Sequence, residues 1–140
     1  MHAAVFRELY GGFLSDRVLA QLTPEAMTEL WGLFVTRGDA YLQWVAVDGD
    51  EIVGFAGVGP GRETGYAHAR ELYFLVVAPH ARRRKVGRAL VRAAEPDYTW
   101  VWDGNRDAQR FYRTAKFFPD SIAREGALFG APIPEVRLSR

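Results

Sequence analysis

The chain has 140 residues, 49% of them hydrophobic and 14% aromatic, which suits one folded domain with a buried core and excludes a disordered tract. Lys and Arg number 18 against 17 Asp and Glu, and the resulting net charge of +1 argues against a protein whose work is coating nucleic acid. The absence of cysteine excludes disulfides, thiolate chemistry and Cys-based zinc, and the scattered His2, His68 and His80 argue against a histidine metal site.

In chain order, "AAVFRELYGG" reads as a short helix closed by Gly11 and Gly12. "LTPEAMTELWGLFVTRGD" is a clearer helix, with Thr23 as N-cap, Pro24 at the first helical position and Glu25 at the positive end of the dipole. Met27, Leu30, Trp31 and Phe34 fall on one face, and such a stripe reads as core. "YLQWVAV" and "EIVGFAGVG" flank "DGDE" and predict a hairpin. "GPGRETG" is a polar loop. "HARELYFLVV" follows as a strand that is apolar on both faces from Leu72 to Val77, the mark of a central position. Val86, Ala89, Leu90, Ala93 and Ala94 form the small apolar face of a helix ended by Pro96. "YTWVW" is a strand, "NRDAQRFYRTAKF" a second short helix, and "PIPEVRLSR" holds a last strand near Glu135 to Leu138. The pattern is one α/β or α+β domain over residues 1–140, hairpins first and strand–helix–strand later. No apolar run is long enough to span a membrane and no signal peptide is seen, so a cytoplasmic protein is expected.

The segment with most chemistry is "PHARRRKVGRAL", between the apolar strand and its helix. The first N–H groups of a helix lack partners, so they form an anion site with the helix dipole. Arg82, Arg83, Arg84 and Lys85 put positive charge at that point, and Gly87 lets a ligand approach closely. Plain solvation of these side chains is the simplest alternative. A nucleic-acid face continued by Arg88 and Arg92 is another, which the balanced charge disfavours. Position beyond the end of a central strand favours a phosphate-bearing small ligand.

Two segments together resemble the GNAT superfamily of acyl-CoA-dependent N-acetyltransferases. The first is similar to its strand, Pro, Arg/Gln-x-x-Gly-x-Gly/Ala motif: counted from Pro79, Arg82, Arg83, Arg84, Lys85, Val86 and Gly87 match, with Lys85 in place of the first glycine. A literal match two residues later, Arg84 to Ala89, needs a longer loop, so the first register is preferred. The second segment is similar to Asn-x-x-Ala-x-x-Phe-Tyr-x-x-Ala-Gly-Phe. Asn105, Ala108, Phe111, Tyr112, Ala115 and Phe117 match, and Lys116 replaces the glycine. "FRELYGGFLSDRVLAQL" and "FGAPIPEVRLSR" also resemble the ends of small bacterial members. The implied fold is a central mixed β-sheet flanked by helices. Members usually begin with a strand before the first helix. Here Met1 lies almost at that helix, so the first strand is missing, the start site is late, or the sheet edge is covered otherwise; an uncovered edge would suit a homodimer.

The resemblance implies an enzyme that moves an acetyl group from acetyl-CoA, a co-substrate, to a primary amine by direct attack, without a metal. Leu75, Val76 and Val77 would pair with the pantetheine arm, and Arg82 to Arg88 would hold the phosphates. Asn105 would contact the CoA arm, and Tyr112 would protonate the departing thiolate; a core tyrosine is the other reading. Glu71 is named as general base, with Glu63, His68 or a water chain as alternatives. The expected partner is a small-molecule or peptide amine acceptor, not nucleic acid or membrane. A CoA-binding or regulatory module of weak or no activity is the alternative function.

Overall fold

The computed structural model describes residues 1–140. Three helices come first: α1 (His2–Tyr10), α2 (Asp16–Leu19) and α3 (Pro24–Val35). Strands β1 (Leu42–Asp48), β2 (Glu51–Pro60) and β3 (Arg70–Val77) follow, then α4 (Val86–Ala94), β4 (Tyr98–Trp102), α5 (Arg106–Thr114), β5 (Phe118–Leu128) and β6 (Ala131–Ser139). The six strands form one mixed sheet in the order β1-β2-β3-β4-β6-β5. Only β3 and β4 are parallel, and α4 makes the crossover between them. No helix is long and apolar enough to cross a membrane.

Local chemistry accounts for most of the boundaries. The Thr23 hydroxyl accepts from the Ala26 N–H at 3.1 Å and Pro24 opens α3. Asp48 pairs with Glu51 across the turn, where Gly49 has φ +63°. Helix α5 ends in a Schellman arrangement. The Phe117 N–H donates to the Tyr112 carbonyl at 2.9 Å and the Lys116 N–H to Arg113 at 3.1 Å.

Two helices cover each face. Helices α4 and α5 close one core, where Leu90, Val91, Ala94, Tyr112 and Phe117 pack on Ala56, Val58, Leu72, Val101 and Leu138. Helices α1 and α3 cover the other face with aromatic rings: Trp31 meets Phe55 and Phe74, and Phe34 meets Phe74.

Several expectations need correction. Ala89 and Ala93 are exposed, and Val91 is buried in their place. The close approach of α4 to the sheet comes from Gly54: a Cβ there would lie 3.0 Å from the Val76 carbonyl oxygen and 3.1 Å from Val86 Cγ1. Leu30 is exposed, because α3 meets the sheet through Trp31 and Phe34 and turns Met27 toward Ala3 and Leu22. Strand β5 was not expected. It contains Pro119, Asp120, Ser121 and Gly126 without apolar alternation, and an outer strand tolerates these. Its partner β6 begins at Ala131, before the expected Glu135. Strand β1 is the opposite outer strand, with Val45 and Val47 exposed, and α1 is the first element.

His2 is 6% exposed and stands edge-on to Phe6 and Phe55, with neither ring nitrogen hydrogen-bonded. Burial, and then the charge of the N-terminus, lower its pKa from 6.5 to about 4. The unfolded chain therefore binds a proton that the folded chain excludes between these values, and stability falls as pH drops below 6.5. Urea unfolding should show about 2 kcal/mol less stability at pH 5 than at pH 7. His2→Leu should remove most of that difference.

Candidate active site

Strands β3 and β4 are paired only at Glu71–Tyr98 and Leu72–Thr99. Beyond these residues they separate. The cause lies in the register with β2, where Gly57 pairs with Phe74 and Val58 with Leu72, leaving Tyr73 as the extra residue of a bulge. Gly57 makes room for this: a Cβ there would lie 2.3 Å from the Phe74 ring. From Phe74 to Val77, β3 is paired only to β2, so every second residue directs its N–H and C=O into the gap. Leu75, Val76 and Val77 line this edge. Val76 is buried, while Leu75 and Val77 are half-buried.

The chain leaves β3 through a short 3-10 turn, Pro79–Ala81, and enters α4 through the basic loop. Arg83 has φ +62° and Lys85 +66°. Backbone N–H groups from Arg83 to Arg88 have no acceptor in the protein, the first bond of the helix being Ala89 N–H to the Lys85 carbonyl. Consecutive unpaired amides next to left-handed residues form an anion-binding nest. The side chains divide. Arg82 makes two bonds to Glu8, at 2.9 and 3.0 Å, and Arg84 bonds Asp48 at 3.0 Å. Arg83, Lys85 and Arg88 make no ion pair. Gly87 and half-buried Val86 open the helix, and the Phe111 ring sits 3.3 Å from where a Gly87 Cβ would be.

On the α5 side, the Asn105 Oδ1 caps the helix by accepting from Ala108 N–H at 3.0 Å, which leaves its NH2 group unengaged. Tyr112 is 6% exposed within the core. Burial pushes its phenol well up, and the neighbouring Thr99 hydroxyl, which itself donates to the Leu72 carbonyl, offsets part of this. Thr99 is the last β4 residue paired to β3, so the Tyr112 hydroxyl lies where the strands part.

Glu71 is fully buried and does not have the freedom expected of a base. Arg62 holds it through Nη2 at 2.6 Å, Nε at 3.1 Å and the backbone N–H at 3.0 Å, and the Tyr98 hydroxyl, whose proton is shared with Glu63, lies 3.2 Å from Oε2. Glu63, in the same loop as Arg62, is more accessible. It accepts from Tyr98, Trp100 and Arg124. Burial raises its pKa, but hydrogen bonds from Tyr98, its own backbone and Trp100, with the Arg124 charge, outweigh burial and hold it low. His68 is exposed and stacks on Tyr66.

The acetyltransferase (GNAT) domain family matches residues 39–117, from the turn before β1 to the cap of α5. The chain belongs to the GNAT acetyltransferases, which are acyl-CoA-dependent N-acetyltransferases. A ribosomal-protein-alanine N-acetyltransferase from Brucella melitensis superposes with a TM-score of 0.70 at 21% identity, over 99% of this chain and 90% of that one. A PaiA N-acetyltransferase from Thermoplasma acidophilum, in complex with coenzyme A, gives 0.65 at 16% identity over 99% and 88%. Arabidopsis thaliana NAA60, in complex with a bisubstrate analogue, gives 0.59 at 15% over 99% and 91%. At these identities the likeness is one of fold. No curated protein matches the sequence.

Both lysines that replace motif glycines lie in the left-handed region, Lys85 at φ +66° and Lys116 at φ +70°. A side chain there costs roughly 1 kcal/mol. Lys85→Gly and Lys116→Gly should each raise the unfolding free energy of the ligand-free protein by about that amount, read as a rise of a few degrees in Tm. Lys116→Ala should give no such gain.

Proposed function

We propose that this GNAT member transfers the acetyl group of acetyl-CoA to a primary amine by direct attack. The observation that carries the reading is the run of unpaired amides from Arg83 to Arg88, set beside the open edge of β3. A diphosphate suits that nest, because several N–H donors share its charge and Arg83, Lys85 and Arg88 add theirs. The pantetheine arm, an extended chain with two amides, suits the gap edge from Phe74 to Val77, as an added strand suits a sheet. Asn105 keeps an NH2 donor for the same arm.

In this reading the amine nitrogen attacks the thioester carbon, the C–N bond forms and the C–S bond breaks. Counted from the ammonium form, nitrogen loses one proton before attack and a second as the amide forms, and sulfur takes one from Tyr112. Tyr112 is then reprotonated, and one proton is released. A phenol with a raised pKa stays protonated at neutral pH, as an acid must. Placing the reactants supplies the rest of the rate. The exposed outer edge of β1 is the feature that supports self-association through that strand.

Thiol release over a panel of amines tests the reading, and acetyl-CoA stabilisation with no turnover of any amine would leave a CoA-binding module instead. S-acetyl-pantetheine, which keeps thioester and arm but lacks the diphosphate, should lose at least about a hundredfold in kcat/KM if the nest holds that group. Tyr112→Phe should lower kcat by about a hundredfold while acetyl-CoA affinity by calorimetry stays within about twofold. Unchanged turnover would remove the acid assignment.

A further inference from the structure

Across the sheet from Tyr112, the same point of β4 carries a second arrangement. Side chains alternate along a strand, so Thr99 faces α5 and Tyr112, while Tyr98 and Trp100 point to the opposite face. Glu63 straddles Thr99 on that face: one carboxylate oxygen accepts from the Tyr98 hydroxyl and the other from the Trp100 indole. Trp100 is the first β4 residue beyond the pairing with β3. Glu63 and Tyr112 therefore bracket the parting of the strands from its two sides.

The carboxylate already holds a cation. Arg124 reaches from β5 and bonds Glu63 through Nη1 at 2.8 Å and Glu135 of β6 through Nε at 2.7 Å. Its guanidinium lies over the Trp100 ring, 4.1 Å from the centroid. The three charged side chains are 30%, 23% and 19% exposed for Arg124, Glu63 and Glu135, so solvent reaches the cluster. Arg124 is carried on the outer strand, just after the register shift between Pro119 and Ala123. The contrast with Arg62 and Glu71 is direct, because there the carboxylate is fully buried and the arginine also gives its backbone N–H.

We infer that Glu63 positions the ammonium group of the acceptor, with Arg124 as a built-in competitor, and that the acceptor is a small di- or polyamine. The inference rests on the acetyl-transfer reading above. When Arg124 yields Glu63 it also leaves Glu135 unpaired, and a second ammonium on the same molecule satisfies that carboxylate. The low pKa of Glu63 suits it to hold a cation and makes it a poor proton acceptor, so its role is positioning. The charged and titratable groups facing it are Tyr98 from β4, Arg124 from β5, Glu135 from β6 through Arg124, and Arg62 with Glu71 beside the loop.

The Trp100 indole N–H reports on Glu63 directly. In 15N–1H spectra of the protein, free and saturated with CoA, with the resonance assigned by Trp100→Phe, butane-1,4-diamine should shift that signal, bind more tightly than butylamine, and outdo butan-1-ol entirely. Arg124→Gln should tighten diamine binding about tenfold and Glu63→Gln should weaken it about tenfold, each change reflecting one charge-assisted contact. In turnover, Glu63→Gln should raise the amine KM by a similar factor with kcat little changed. No shift at Trp100, equal binding of butylamine and the diamine, or no tightening in Arg124→Gln overturns the inference. Arg124→Gln decides alone if Glu63→Gln does not fold. The spectra need no turnover, so a failure here is distinguishable from a failure of acetyl transfer, which thiol release reads.

Discussion

The structure turns on one displaced residue. Tyr73 is extra to the β2 register, and the strand it belongs to ceases to pair with β4 immediately afterwards. A parallel pair with both neighbours present would have used all its backbone groups in the ladder. The bulge instead frees the donors and acceptors of one strand edge in the interior of the sheet. The rest is placed relative to that opening. The loop into α4 sits beyond the end of β3, α5 brings Tyr112 to Thr99 from one side, and the β2–β3 loop brings Glu63 from the other.

The two arginine–carboxylate groups near the opening illustrate how burial sorts similar chemistry. Glu71 and Arg62 are held by side-chain and backbone donors together, and removing either partner would leave a charge or an acceptor stranded. That is a structural element which fixes the loop on which Glu63 sits. Glu63 and Arg124 belong to separate chain segments, one a loop and the other an outer strand, and stay in contact with solvent. The same ion pair is a clamp in one position and an exchangeable contact in the other.

Much of this was legible in the sequence, but unequally. The β1–β2 hairpin, the central run Leu72–Val77, and the helices with caps at Thr23 and Asn105 carry strong local signals, and local signals determine them. The loop from Arg82 to Gly87 was visible because charge, proline and glycine occur together between a strand and a helix. Strand β5 was not visible, since its residues follow the needs of an outer strand and of Arg124, Asp120 and Ser121 rather than any periodicity. The surroundings of Glu71 were hidden for a similar reason: its partner Arg62 is nine positions away, and only the fold brings the two together. Likewise the charges of Arg82 and Arg84 looked free along the chain and are neutralised by Glu8 and Asp48, each from a distant element.

Lys85 and Lys116 carry a wider consequence. Both occupy places where the family pattern has glycine, and both keep the backbone angle that glycine would adopt. What the fold demands at these points is a torsion, and residue identity only sets how much that torsion costs. A family pattern written in letters scores two mismatches here, whereas one written in angles scores none. Divergence in this fold can therefore run ahead of its letter code, with stability surplus elsewhere in the chain absorbing the difference.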